Sequence, residues 1–153
     1  MKKLIFLLFL LLNISILKAQ TIKYVELNTG FSTGIVPFFP GGSILVGSTH
    51  RFNNGIIFDY EGGVAIPSIV TGKAGVGCNI QSTIVTFGIR PWPSSVYAQI
   101  ELLRPSKSSD IVLTAEGMIG NVFIQERTES IFTIGWRWKN KPYKEAFKFK
   151  GYK

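Results

Sequence analysis

Thr83-Ile84-Val85-Thr86-Phe87-Gly88-Ile89-Arg90 and, four residues on, Ser95-Val96-Tyr97-Ala98-Gln99-Ile100-Glu101-Leu102 carry the pattern that decides the fold. In the first run Val85, Phe87 and Ile89 share one face of an extended chain, and Thr86, Gly88 and Arg90 the other. In the second, Val96, Ala98, Ile100 and Leu102 oppose Tyr97, Gln99 and Glu101. Successive side chains of a strand point to opposite sides, so strict apolar/polar alternation marks two β-strands, each with one apolar face. Between them lies Pro91-Trp92-Pro93-Ser94, whose prolines cannot donate to a ladder and favour a turn.

The same alternation spreads outward from this pair in both directions. Val25, Leu27 and Phe31 oppose Glu26 and Asn28; Ile56, Phe58 and Tyr60 oppose Asp59 and Glu61. Val70, Ala74, Val76 and Cys78 oppose Thr71, Lys73 and Asn79, and Phe132, Ile134, Trp136 and Trp138 oppose Thr133, Gly135 and Arg137. The periodicity predicts eight strands near 22–35, 43–52, 55–66, 69–79, 82–92, 95–104, 110–122 and 130–139. The breaks carry turn chemistry: Pro37 and Pro40-Gly41-Gly42, Asn53-Asn54-Gly55, Pro67-Ser68, Asn79 to Ser82, Pro105 to Ser109, and a looser stretch from Gln125 to Glu129. Most connections are short, so sequential strands pair as an up-and-down antiparallel meander.

Two architectures show one apolar and one charged face on every strand. A soluble barrel or sandwich turns the apolar face inward; a membrane barrel turns it to lipid and its charges to the lumen. Three features point to the second. Charges of both signs sit mid-strand (Glu26, Asp59, Glu61, Glu101 and Glu116 against Lys73, Arg90 and Arg137), as an interior network of ion pairs requires. Glycines crowd the polar faces (Gly30, Gly34, Gly63, Gly75, Gly77, Gly88, Gly135), leaving room for the long side chains of a narrow lumen. Aromatic residues gather at strand ends (Phe38, Phe39, Phe52, Trp92, Trp136, Trp138), where interfacial girdles lie. The soluble alternative stays open at this point, and the two differ in what they expect. It packs Val85, Phe87, Ile89, Val96 and Ile100 into a dry core and makes Glu101→Ala and Arg90→Ala near-neutral. In the membrane barrel those changes unbalance a buried network.

The N-terminus fits an exported protein. Met1-Lys2-Lys3, the apolar run from Leu4 to Leu12 and its continuation to Leu17, and the small Ala19 before Gln20 have the anatomy of a secretory signal over residues 1–20. That leaves about 133 of the 153 residues, enough for one domain at 21–139 and a tail at 140–153. Cys78 is the only cysteine, so the domain has no intramolecular disulfide.

The formal charge of +8 is confined to the ends. From Thr21 to Trp138 the basic residues Lys23, Arg51, Lys73, Arg90, Arg104, Lys107, Arg127 and Arg137 balance Glu26, Asp59, Glu61, Glu101, Asp110, Glu116, Glu126 and Glu129. Beyond it, Lys139, Lys141, Lys144, Lys148, Lys150 and Lys153 face only Glu145. A neutral body with a basic tail gives no basic face for nucleic acid. In Ala146-Phe147-Lys148-Phe149-Lys150-Gly151-Tyr152 rings alternate with ammonium groups; this suits either a solvated terminus or a segment lying at an anionic membrane surface.

No catalytic, metal or cofactor motif survives comparison with its simpler reading. Thr71-Gly72-Lys73-Ala74-Gly75 lacks the Ser or Thr that must follow Gly-Lys in a phosphate loop. His50 is the only histidine, with Ser48 and Thr49 read as adjacent and unable to face it, and a structural place near the periplasmic rim is expected. Cys78 shares the apolar face with Val76, where a thiol acts as a small hydrophobe.

Taken together, the signal, the hairpin alternation and the final segment Ile131-Phe132-Thr133-Ile134-Gly135-Trp136-Arg137-Trp138 resemble the small eight-stranded outer-membrane β-barrel proteins over about residues 21–139. The resemblance implies an all-β transmembrane barrel in the cell outer membrane, both termini periplasmic. Its partners would be membrane lipid and other envelope proteins, with no cofactor. Members end on an aromatic residue that the assembly machinery reads; Trp138 would take that place, with Lys139 to Lys153 following. The group shares a fold and not a site, so no functional residues carry over.

Overall fold

The computed structural model describes residues 19–33, 39–52, 54–66, 69–92, 94–104, 107–118 and 130–141. Eight strands run in chain order: β1 Ala19–Thr33, β2 Phe39–Phe52, β3 Ile56–Ile66, β4 Ile69–Ile80, β5 Thr83–Trp92, β6 Ser95–Leu102, β7 Ser109–Met118 and β8 Ser130–Lys139. Each pairs antiparallel with the next, and β8 returns to β1 through Glu26↔Arg137 and Phe31↔Phe132, closing the sheet. Among the described strands closure leaves no edge strand, and every strand has a partner on both sides along most of its length.

Tight turns set the register. Between β2 and β3 the Gly55 N–H donates to Phe52 O at 3.0 Å, with Gly55 at φ 83°, a conformation glycine adopts without cost. Gln81 and Ser82 alone join β4 to β5. Pro40-Gly41-Gly42, expected to separate the first pair, instead lies within β2, opposite Phe31, Gly30 and Thr29. Pro40 is tolerated because β3 pairs with β2 only from Gly42 onward, so its missing N–H breaks no second ladder. At the same end of the barrel, Gly72↔Trp92 and Ala74↔Ile89 set two steps on β4 against three on β5. The extra residue falls at Arg90-Pro91, a bulge where a residue without an N–H is at home. β1 begins at Ala19, paired with Phe52.

The partition of side chains is inverted relative to a water-soluble domain. Among the described residues, 24 large hydrophobic side chains stand on the outside at 38% to 76% exposure, including Val25, Val46, Phe87, Ile89, Val96 and Ile100. Conversely, 18 polar or charged residues are buried against 8 hydrophobic ones. The inner wall is layered. Ile22, Ile57, Ile84 and Leu103 form an apolar cluster at the end where β1 begins and β8 ends. Above it lie the charged side chains, and Arg90 and Ser95 mark the far end of β5 and β6.

Candidate functional site: a charged lumen and a polar rim

Alternation along β1, β3, β4, β5, β6, β7 and β8 aims one or two charged residues from each strand inward. Glu26, Asp59, Glu61, Lys73, Arg90, Glu101, Glu116 and Arg137 are all buried on the inner wall. Arg137 is the hub. Its Nε donates to Glu26 Oε2 at 2.6 Å and its Nη1 to Glu101 Oε2 at 2.9 Å, while Nη2 lies 3.4 Å from both Asp59 Oδ2 and Glu61 Oε2. The Tyr24 ring stacks against the guanidinium at 3.7 Å, and the Tyr24 hydroxyl lies 3.0 Å from the same two carboxylate oxygens.

A second cation relieves part of the remaining charge. Lys73 Nζ pairs with Glu61 Oε1 at 2.7 Å, donates to Gln99 Oε1 at 3.2 Å and sits 5.3 Å from the Tyr97 ring centre. Arg90 and Glu116 form a separate pair at 2.6 Å, with Ser95 Oγ donating to the second carboxylate oxygen at 3.1 Å. Thr49 and Asn28 supply further donors, to Asp59 at 2.6 Å and Glu26 at 2.8 Å. Such bonds are what a charge needs when water is excluded.

Room for these groups comes from glycine. A Cβ at Gly47 would collide with the Tyr24 ring, one at Gly75 with the Tyr97 hydroxyl, and one at Gly135 with the Asn28 side-chain oxygen. Each lumen aromatic or amide therefore occupies space that an absent side chain leaves.

Several members were not singled out from sequence. Tyr24 reads as an ordinary strand aromatic, and only the closed register shows it under Arg137. Asp110 sits at a strand start, and Lys139 reads with the basic tail; in the structure the two pair with one another inside the barrel. The signal that could have found Lys139 is parity, since it shares its face with Arg137 and Gly135.

The aromatic positions are distributed differently. Trp136 and Trp138 stand on the outer wall with ring centres 6.5 Å apart, and Arg104 lies 4.4 Å over Trp136. Phe52 is half-buried at the end of β2. Phe38 lies outside the described residues, and Phe39 and Trp92 are described in their backbone alone. At the far end Phe31 and Phe132 pair at 5.6 Å, a contact across the closing seam that sequence reading does not reach.

One expectation about the rim is corrected. Ser48 and His50, two apart on β2, share the outward face, with Ser48 Oγ 3.4 Å from His50 Nε2. The other ring nitrogen, Nδ1, contacts Thr21 Oγ1 at 2.9 Å, and the ring stacks on Tyr60 at 5.5 Å and 15°. Thr21 stands where a charge-relay arrangement would need a carboxylate.

Fold and inner wall define the class: an eight-stranded closed antiparallel meander barrel with buried charged side chains on its inner wall and an apolar outer wall. No family model and no curated protein matches the chain. Among solved structures it is similar to Neisserial surface protein A, with 10% sequence identity, a TM-score of 0.46, and coverage of 79% of this chain and 98% of that one.

Proposed function

We propose that this chain is a structural or interaction protein of a bacterial outer membrane, exported through a cleaved signal at residues 1–20. It acts without catalysis and without an open pore. Its direct partner is membrane lipid, its rims are available to other envelope proteins, and its basic tail lies at an anionic membrane surface. Both termini face the periplasm, as in bacterial barrels of even strand number.

The observation that carries this reading is the inverted partition. An outer wall bearing 24 exposed large hydrophobic residues far exceeds what a soluble monomer leaves to water, and in a bilayer the same wall is at its preferred boundary. The lumen supports the second part: an eight-stranded barrel is just wide enough to be filled by its side chains, and here a plug of Ile22, Ile57, Ile84 and Leu103 underlies the ion-paired layer. Such an interior suits stability better than transport.

The test is heat-modifiability. The chain is expressed with its signal, outer membranes are isolated, and unboiled and boiled samples are compared on a detergent gel. The expected result is a band in the membrane fraction that shifts on boiling. Recovery in the soluble fraction with no shift would overturn the proposal.

A further inference from the structure

The outer wall of β1 and β2 changes character at one row of the register. Val25↔Val46 is apolar, the next outward row is Lys23↔Ser48, and the one after it is Thr21↔His50. On β3, Tyr60 continues the first polar row and braces the His50 ring. His50 is held from both nitrogens by Thr21 and Ser48, so this polar corner is ordered and not a loose surface.

We propose that Lys23, with Thr21 and His50, forms a binding site for the phosphate of an anionic phospholipid headgroup at the periplasmic rim. The inference rests on the membrane reading above and adds to it a place and a headgroup charge. Lys23 is exposed and, among the described residues, joins no ion pair, whereas Lys73, Arg90, Arg137 and Lys139 are all paired inside the lumen. A lysine in the first polar row has a stem long enough to cover the last apolar row and carry its ammonium to the lipid phosphates. The Thr21 hydroxyl and the imidazole add neutral hydrogen-bonding groups beside that one charge, and the buried Ser48 hydroxyl helps to hold the ring in place.

The choice of an anionic over a zwitterionic lipid comes from where the chain leaves the barrel. Asn140 N–H donates to Lys23 O at 3.0 Å, and Lys23 N–H donates to Asn140 Oδ1 at 3.3 Å. Lys141 follows, and the tail adds Lys144, Lys148, Lys150 and Lys153 against Glu145, so its positive charge starts beside Lys23. Clustered lysines at a membrane surface each favour anionic lipid by about 1 kcal/mol.

The experiment uses the full mature chain refolded into phosphatidylcholine vesicles, with spin-labelled phosphatidylglycerol or spin-labelled phosphatidylcholine as the probe. The site predicts selective association of phosphatidylglycerol. Lys23→Ala lowers that selectivity about fivefold, Lys23→Arg keeps it, and Thr21→Val with Ser48→Ala lowers it with the charge intact. Lys107→Ala, which removes an exposed lysine from the β6–β7 turn, leaves it unchanged. Equal losses in Lys23→Ala and Lys107→Ala, or no preference for phosphatidylglycerol, would overturn the site. Heat-modifiability is read on every variant. A chain that never enters vesicles fails the membrane reading; one that enters and shows no lipid preference fails this inference alone.

Discussion

Replacing Arg137 with methionine removes the one group that four carboxylates share. Glu26, Asp59, Glu61 and Glu101 all contact its guanidinium at 2.6 to 3.4 Å, and Lys73 pairs with Glu61. The substitution leaves these four acids without the cation they share. Breaking a buried pair by removing one partner costs about 3–5 kcal/mol, because the other charge stays buried. The Tyr24 ring loses its cation as well, so the upper end of that range is expected. Glu101→Gln takes one acid from the cluster, keeps the side-chain shape and leaves Arg137 with three carboxylates. Its expected cost is about 1 kcal/mol, on the order of one hydrogen bond. The assay is urea unfolding of the refolded barrel in lipid vesicles, followed by the gel shift on unboiled samples. If Arg137→Met unfolds within about 1 kcal/mol of the parent, or no more readily than Glu101→Gln, the hub role of Arg137 is wrong.

Three further outcomes follow from the same geometry. Gly47→Ala should cost about 1–3 kcal/mol in that unfolding assay, because the new methyl group meets the Tyr24 ring; Gly117→Ala, with open space around it, should be close to neutral. Phe87→Arg, on the outer wall of β5, should destabilise the barrel by about 2–4 kcal/mol in a bilayer, and equal stability would argue that this wall does not face lipid. Planar bilayers containing the purified barrel should show no steady ion conductance, given the plug at Ile22, Ile57, Ile84 and Leu103; a stable open channel would contradict a filled lumen.

Period-two alternation survives in the sequence because each strand presents one side chain at a time to a narrow lumen. The faces of Phe87 and Arg90, or of Ile100 and Glu101, can therefore be assigned before any pairing is known. What the sequence leaves open is which faces meet. Glu26 and Arg137 lie 111 positions apart, and they touch because β8 closes on β1 in one register. That register depends on turn lengths and on the bulge opposite Gly72, neither of which alternation encodes. Pro40 lies inside β2 for a related reason: a proline reads as a break unless it is known that one side of its strand is unpaired. Ser48 and His50, two apart in sequence, are neighbours on one face of their strand. Lys139 adjoins the lysines of the tail, and only parity with Arg137 separates it from them.

The most direct test of the central claim is a nitroxide scan of the outer wall of β5, at Val85, Phe87 and Ile89 in a Cys78→Ser background, with the protein in phosphatidylcholine vesicles. The account predicts that all three labels collide freely with oxygen dissolved in the hydrocarbon and are shielded from a water-soluble nickel reagent. Labels shielded from both reagents would mean that these side chains pack in a protein core, and the partition described above would be the wrong way round.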